Sequence, residues 1–145
     1  MSGPNVWGPY GWKFIHYVTL GYPNNPSNED KLKYLNFFNA LQYVLPCSIC
    51  SKHFQDHIKQ YPLTDDILSD KRKFINWGIF MHNLVNVSNN KKVYSMEDGY
   101  EEIIKNNKED ERTHIHIEKA NYYLYFLYTV ILILIIIIIL TYIKK

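Results

Sequence analysis

From Leu124 to Ile143 the chain runs for 20 residues in which only Thr129 and Thr141 are neither apolar nor aromatic. At ~1.5 Å of rise per residue, a helix of that length crosses the ~30 Å hydrocarbon core of a bilayer. A core helix of a small soluble domain rarely runs so far without a polar face. Tyr122, Tyr123, Tyr125 and Tyr128 gather at the start and Tyr142 sits at the end, where rings settle at the two membrane interfaces. Residues 122–143 are therefore read as a transmembrane helix, and most of the remaining chain as one soluble domain, residues 1–106. That domain is too short for a Rossmann dehydrogenase, a barrel enzyme or a kinase. Lys and Arg number 16 against 14 Asp and Glu, and Lys144 and Lys145 account for the excess. No basic field recommends nucleic acid as a partner.

Met1 to Tyr10 has neither the charged nor the apolar region of a signal peptide. The expected topology is a single-pass C-terminal tail anchor with the domain on the cytoplasmic side; Lys144 and Lys145 pull the other way. Lys105 to Asn121 (KNNKEDERTHIHIEKAN) is dense in charge and lacks an apolar period, so residues 107–121 read as a polar tether. His114 and His116, two residues apart, could chelate a metal in an extended strand, but in a charged linker such a pair is usually solvated.

Helix signals dominate the soluble part. Trp12, Ile15, His16 and Thr19 share a face over Pro9 to Thr19, after the turn-prone Gly8. Ser27 and Asp30 have the form of a capping box, and Leu32, Leu35, Phe38, Leu41 and Leu45 carry a second helix to its stop at Pro46. A third is predicted from Cys47 to about Tyr61, a fourth over Lys71 to Val87 after a polar loop around Thr64 to Asp70, and a short fifth from Ser95 toward Lys105. The fold class is all-α: a four-helix bundle plus a short fifth helix, followed by the C-terminal transmembrane helix.

The only two cysteines form Pro46-Cys47-Ser48-Ile49-Cys50. One CxxC lacks the remaining ligands of a structural zinc site unless His53 and His57, three and seven residues beyond Cys50, complete it. A pair of inert buried thiols is the bland alternative. A redox-active pair is favoured because a helix start presents unpaired backbone N–H groups that stabilise a thiolate, the species that exchanges disulfides. Thioredoxin needs strands around its CxxC, and here helices flank it. An all-helical domain has no strand edge to hold a peptide, which suggests that a cofactor moves the electrons. A second constellation, Trp77, Met81, His82, Asn83, Val85 and Asn86, falls on one predicted helix, with His82 and Asn86 stacked at i and i+4. A core histidine satisfied by backbone accounts equally well for that spacing.

Taken in order, Trp7-Gly8, Trp12 and His16, Tyr22-Pro23, the CxxC, and His82-Asn83-Leu84-Val85-Asn86 followed by Lys91 resemble the FAD-dependent sulfhydryl oxidases of the Erv/ALR family. The resemblance covers about residues 5–105. Composition and size look most like the minimal membrane-bound versions of large cytoplasmic DNA viruses, which implies host cytoplasmic membranes or a virion membrane for the anchor. The resemblance implies non-covalent FAD beside the CxxC. Gly8, Trp12 and His16 would line it from the first helix, His82, Asn83, Val85 and Asn86 from the fourth, with Lys91 near the phosphates and Tyr22 and Trp77 as further contacts. No metal is implied. It also implies a thiol oxidase: a substrate thiolate attacks Cys47, Cys50 is released, and the electron pair reaches flavin and then oxygen, giving hydrogen peroxide. Larger members carry a shuttle cysteine pair that is absent from this sequence, so electrons would enter directly from a thiol-bearing partner, thioredoxin-like or a viral membrane protein. Pairing of two copies as a homodimer is left open. The alternative function is a flavin-free membrane-anchored thiol-disulfide carrier.

Overall fold

A computed structural model describes residues 3–143 and contains helices but no strand among them. The expectation attached to Lys144 and Lys145 lies outside the described residues. The chain divides into two units, one up to Ile104 and one from Lys105 onward.

In the first unit, α1 spans Pro4–Leu20, α2 Asn28–Val44, α3 Ser48–Gln60, the single turn α4 Asp65–Leu68, and α5 Lys71–Ser88; α6, Met96–Ile143, opens in this unit and continues beyond it. The four long helices α1, α2, α3 and α5 are those read from the sequence. Local chemistry sets their ends. The Asp30 N–H donates to Ser27 Oγ at 3.1 Å while the Ser27 N–H donates to Asp30 Oδ2 at 2.9 Å, closing the capping box of α2. Leu45 is extended at φ −60°, ψ 136°, because Pro46 excludes the helical conformation from the residue before it. Asp70 caps α5 by accepting from the Lys73 N–H at 2.8 Å. Helix α1 starts earlier than the expected Pro9, because Pro4 at its first turn supplies a pre-set φ and Pro9 is accommodated within it.

The core joins Ile15, Tyr22, Phe38, Phe54, Leu63, Leu68, Phe74, Trp77 and Met81. Edge-to-face contacts of Phe74 with Tyr22, Tyr34 and Phe38, and of Phe38 with Trp77, dominate it, with centroids 4.8–5.7 Å apart. Two glycines permit close helix contacts. A Cβ on Gly78 would meet Thr19 Cγ2 at 3.2 Å, and one on Gly99 would meet Ile79 Cγ2 at 2.8 Å.

In the second unit α6 is helical throughout. The segment 107–121, expected as a tether, thus has regular structure: its Glu, Lys, Arg and Ala are good helix formers and need no packed face to hold them. His114 and His116 cannot share a helix face at two-residue spacing, and His114 Nδ1 instead lies 3.4 Å from Glu118 Oε1. Farther along, Thr129 and Thr141 donate their hydroxyls to the carbonyls of Phe126 and Ile138, at 2.7 and 2.8 Å. The two threonine hydroxyls of the apolar run are thereby satisfied within their own helix, as a lipid environment would demand. By length and composition this is the one described helix able to cross a membrane.

Candidate active site

Pro46 ends α2 and hands the chain to α3 through Cys47, whose side chain takes the N-cap position. Cys47 and Cys50 are joined as a disulfide with Cα atoms 5.2 Å apart. The Cys50 N–H donates to Cys47 Sγ at 3.2 Å, so this sulfur already faces the helix N-terminus that would stabilise its thiolate. The first turns of α3 are tied to the last turn of α2 at one carbonyl: Gln42 O accepts from Ser51 Oγ at 2.5 Å and from Gln55 Nε2 at 3.5 Å. That carbonyl would otherwise be left unpaired at a helix end. Among the described residues no group of three or more His, Cys, Asp or Glu is arranged to hold a metal ion.

One turn beyond Cys50, about 6 Å along the helix axis, Phe54 is buried with its ring edge-on to Trp12 of α1, centroids 6.3 Å apart. Trp12 in turn stacks on His82 of α5, with centroids 4.3 Å apart and planes within 9°. His82 Nδ1 lies 2.9 Å from His16 Nε2. Phe54 therefore links the disulfide helix to a wall of flat rings drawn from α1 and α5. Burial holds the His16 imidazole down at a pKa of about 3, with His82 adding to the effect. The same cause, with the Lys91 charge second, brings His82 to about 4. Both rings are neutral at physiological pH. Whichever tautomer serves their mutual bond, His16 Nδ1 is buried without a partner, as are Trp7 Nε1 and Asn76 Oδ1. An uncharged ring stack with a buried, unanswered imidazole nitrogen suits a planar heteroaromatic ligand that carries its own donors and acceptors. FAD has that chemistry, and the residues fit it.

The structure brings Trp12, His16 and His82 together. Lys91 is exposed and near enough to His82 to depress its pKa. A Cβ on Gly8 would meet nothing within 4 Å, so its surface is open. Val85 is half-buried on α5, and Asn86 is buried, its carbonyl accepting from the Lys91 N–H at 2.8 Å. Three expected contacts have hydrogen-bond partners within the protein. Tyr22 is wholly buried, its hydroxyl donating to Leu68 O at 2.7 Å. Trp77 Nε1 donates to Tyr61 O at 3.1 Å within the core. Asn83 spends its side chain on Tyr94, donating to its carbonyl at 2.8 Å and accepting its N–H at 3.1 Å, which pins the segment between α5 and α6. Phe54 is not marked out by any sequence motif, although its spacing of four from Cys50 and seven from Cys47 places it on their helix face.

The neutral histidines give the site a pH signature. Because both folded pKa values lie below the ordinary 6.5, the unfolded chain takes up protons that the folded site refuses as pH falls below 6.5. Stability of the flavin-free protein is expected to be level above pH 6.5 and then to decline, by up to ~1.4 kcal/mol per pH unit for each imidazole, until these groups protonate near 4 and 3. Urea unfolding at pH 7, 6 and 5 checks this, with His16→Asn expected to flatten the slope. Equal stability at all three values would contradict the burial of the pair.

The Erv1 / Alr family matches residues 9–111 of the chain. Over 102 residues, 70% of this chain and 71% of its relative, the sequence is 48% identical to the "Probable FAD-linked sulfhydryl oxidase R368" of Acanthamoeba polyphaga mimivirus. It is 29% identical over 89 residues to an FAD-linked sulfhydryl oxidase of African swine fever virus, covering 61% of this chain and 72% of that one. Similarity to FAD-linked sulfhydryl oxidase ERV2 of Saccharomyces cerevisiae is 31% over 87 residues, 60% of this chain but only 43% of the yeast protein's length. The solved FAD-binding domain of Saccharomyces cerevisiae Erv1 shares the fold, with a TM-score of 0.65 at 22% identity over 70% of this chain and 93% of that domain. The ordered motifs, the disulfide at the head of α3 and the extent of these matches agree: the chain belongs to the Erv1 / Alr family.

Proposed function

We propose that the protein is an FAD-dependent sulfhydryl oxidase that makes disulfides in thiol-bearing protein partners with oxygen as final acceptor. The observation that carries this reading is the path from the Cys47–Cys50 disulfide through Phe54 to the neutral Trp12, His16 and His82 wall. Trp12, His16 and His82 would hold the cofactor, with Gly8, Val85 and Asn86 beside them and Lys91 supplying positive charge for phosphate. Tyr22, Trp77 and Asn83 would complete the cofactor-binding set, with their polar groups already bonded within the protein. When bound, FAD accepts the electron pair from the cysteines and delivers it to oxygen.

The chain's own residues perform the thiol exchange. A substrate thiolate attacks Cys47 Sγ; the substrate–Cys47 bond forms as the Cys47–Cys50 bond breaks, and Cys50 leaves as a thiolate. The second substrate thiol then attacks its partner's sulfur and displaces Cys47. The departing Cys47 thiolate is met by the Cys50 N–H already directed at it, and a better stabilised leaving thiolate departs faster. Two electrons and two protons pass from the substrate dithiol to the cysteine pair and solvent. The neutral histidines keep positive charge off the ring wall, and the packed aromatic core behind them excludes water.

Residues 1–106 form the oxidase domain in this reading, and residues 122–143 anchor it to a membrane with the domain on the cytoplasmic side, where disulfides otherwise do not persist. The compact unit ending at Ile104 supports that boundary. Purified residues 1–106 are expected to be yellow with flavin absorption and to consume oxygen with a small dithiol. A folded, colourless fragment that stays inert after incubation with FAD would sink the cofactor and leave a flavin-free thiol-disulfide carrier. His82→Ala is expected to lose flavin before fold. Removing a half-buried ring and its hydrogen bond costs about 1–3 kcal/mol, weakening FAD roughly 5- to 150-fold at unchanged helicity. Unaltered flavin occupancy at low protein concentration would contradict the placement of His82 on the cofactor.

A further inference from the structure

Between Lys33 and Lys52 lie eighteen residues, Tyr34 to Ser51, without one charged side chain. This neutral stretch forms most of α2 and the head of α3, with the disulfide near its end. Much of its apolar content is spent on the fold: Tyr34, Leu35, Phe37, Phe38, Leu41 and Leu45 are packed in the main core. Three large side chains are not. Tyr43 is 68% exposed, Val44 71% and Ile49 67%, none of them belongs to either core cluster, and Pro46 between them is exposed as well. Isolated exposed apolar residues are ordinary on a protein surface. Here they occupy one seven-residue segment that also contains the reactive sulfur.

The chemistry decides what reaches this segment. In a mixed disulfide the two Cα atoms stand roughly 4.4–6.8 Å apart. Val44 and Ile49 are three and two residues from Cys47, so their Cα atoms lie within about 11 and 7 Å of its Cα by chain reach alone. Any partner bonded to Cys47 must therefore lay the residues flanking its own cysteine near these side chains. A charged flank would lose hydration against an apolar, uncharged surface and find no counter-charge along Tyr34 to Ser51. An apolar flank would bury surface with it.

Resting on the redox role proposed above for Cys47–Cys50, we infer that Tyr43, Val44, Pro46 and Ile49 form a docking rim that selects protein thiols presented on apolar, uncharged segments. Specificity thus resides in α2 and the α2–α3 junction, apart from the ring wall. Lys52, the nearest cation along the chain, favours the competing occupant, a thiol with acidic flanks.

The test uses the full chain with FAD in lipid nanodiscs and three dithiol peptides of equal length and cysteine spacing, flanked by Leu and Ala, by Glu, or by Lys. Dithiothreitol serves as a substrate too small to touch the rim. The apolar peptide is expected to show a kcat/KM about tenfold above either charged peptide, as two apolar side chains partly covered by a partner would give, with little dependence on salt. Tyr43→Ser combined with Val44→Ser is expected to remove most of that preference while dithiothreitol turnover and flavin content stay unchanged. Equal rates for the three wild-type peptides, or a salt-sensitive preference for the Glu peptide, would overturn the rim. So would a variant that keeps the preference but changes oligomeric state, because the patch would then be a contact between copies. Loss of dithiothreitol turnover in the wild-type protein would instead indict the oxidase reading itself.

Discussion

Cys50→Ser is expected to leave a folded, flavin-competent protein whose turnover falls to the uncatalysed background and which accumulates partner proteins in mixed disulfides. Cys47 is then the only sulfur left to react, and Cys50, the group that would return electrons to the cofactor side, is gone. Cys47→Ser should be equally inactive but should capture little, because the sulfur at the head of α3 has been removed. Neither change threatens the fold. The disulfide bridges residues only three apart and so restricts little of the unfolded chain. Serine at position 47 keeps an N-cap acceptor for the Cys50 N–H. Non-reducing gels of each variant after incubation with a thiol-bearing protein check the assignment. Stronger capture by Cys47→Ser would reverse the roles of the two sulfurs, and the proposed docking rim would have to be reassessed around Cys50.

Whether a residue's role is legible in the sequence depends on where its partner lies in the chain. The ends of α2 are legible because Ser27, Asp30 and Pro46 act within a few residues of themselves. Trp12, His16 and His82 are legible as chemistry because aromatic and imidazole rings recur at turn spacing, and the structure adds that they meet one another. Asn83 is a different case. Its partners are backbone groups of Tyr94, eleven residues away, and nothing in its spacing along α5 shows that the loop closes on its amide. Tyr22 and Trp77 carry polar tips that imply a partner, but carbonyls at Leu68 and Tyr61 supply it, and no periodicity announces a carbonyl. The opening turn of α1 is hidden by Gly8-Pro9, a local break signal that the helix tolerates. The helical state of residues 107–121 is hidden because hydrophobic period reports packing, and an unpacked charged helix has none to report.

Replacing Ile135 and Ile137 together with arginine is expected to release the protein from membranes. The two positions lie deep in the apolar run, and at a spacing of two they point to different sides of α6, so no single neighbour could shelter both charges. Each central arginine costs about 2.5–3.5 kcal/mol on the insertion scale, enough together to reverse a favourable equilibrium by several orders of magnitude. The native segment carries no comparable burden, since Thr129 and Thr141 bond to their own helix. Lys105, Lys108, Arg112 and Lys119 crowd the N-terminal flank, which favours keeping that flank and the enzyme domain on the cytoplasmic side. Membrane flotation of wild type and variant measures the first effect, and retention of the variant in the membrane fraction would remove the anchor from residues 122–143. The released variant should oxidise a small dithiol at the wild-type rate while oxidising a membrane-bound partner poorly, because confinement to one surface raises the effective concentration of both. Protease added to sealed vesicles should digest the wild-type domain; a protected domain would invert the topology and place its disulfide chemistry on the other side of the membrane.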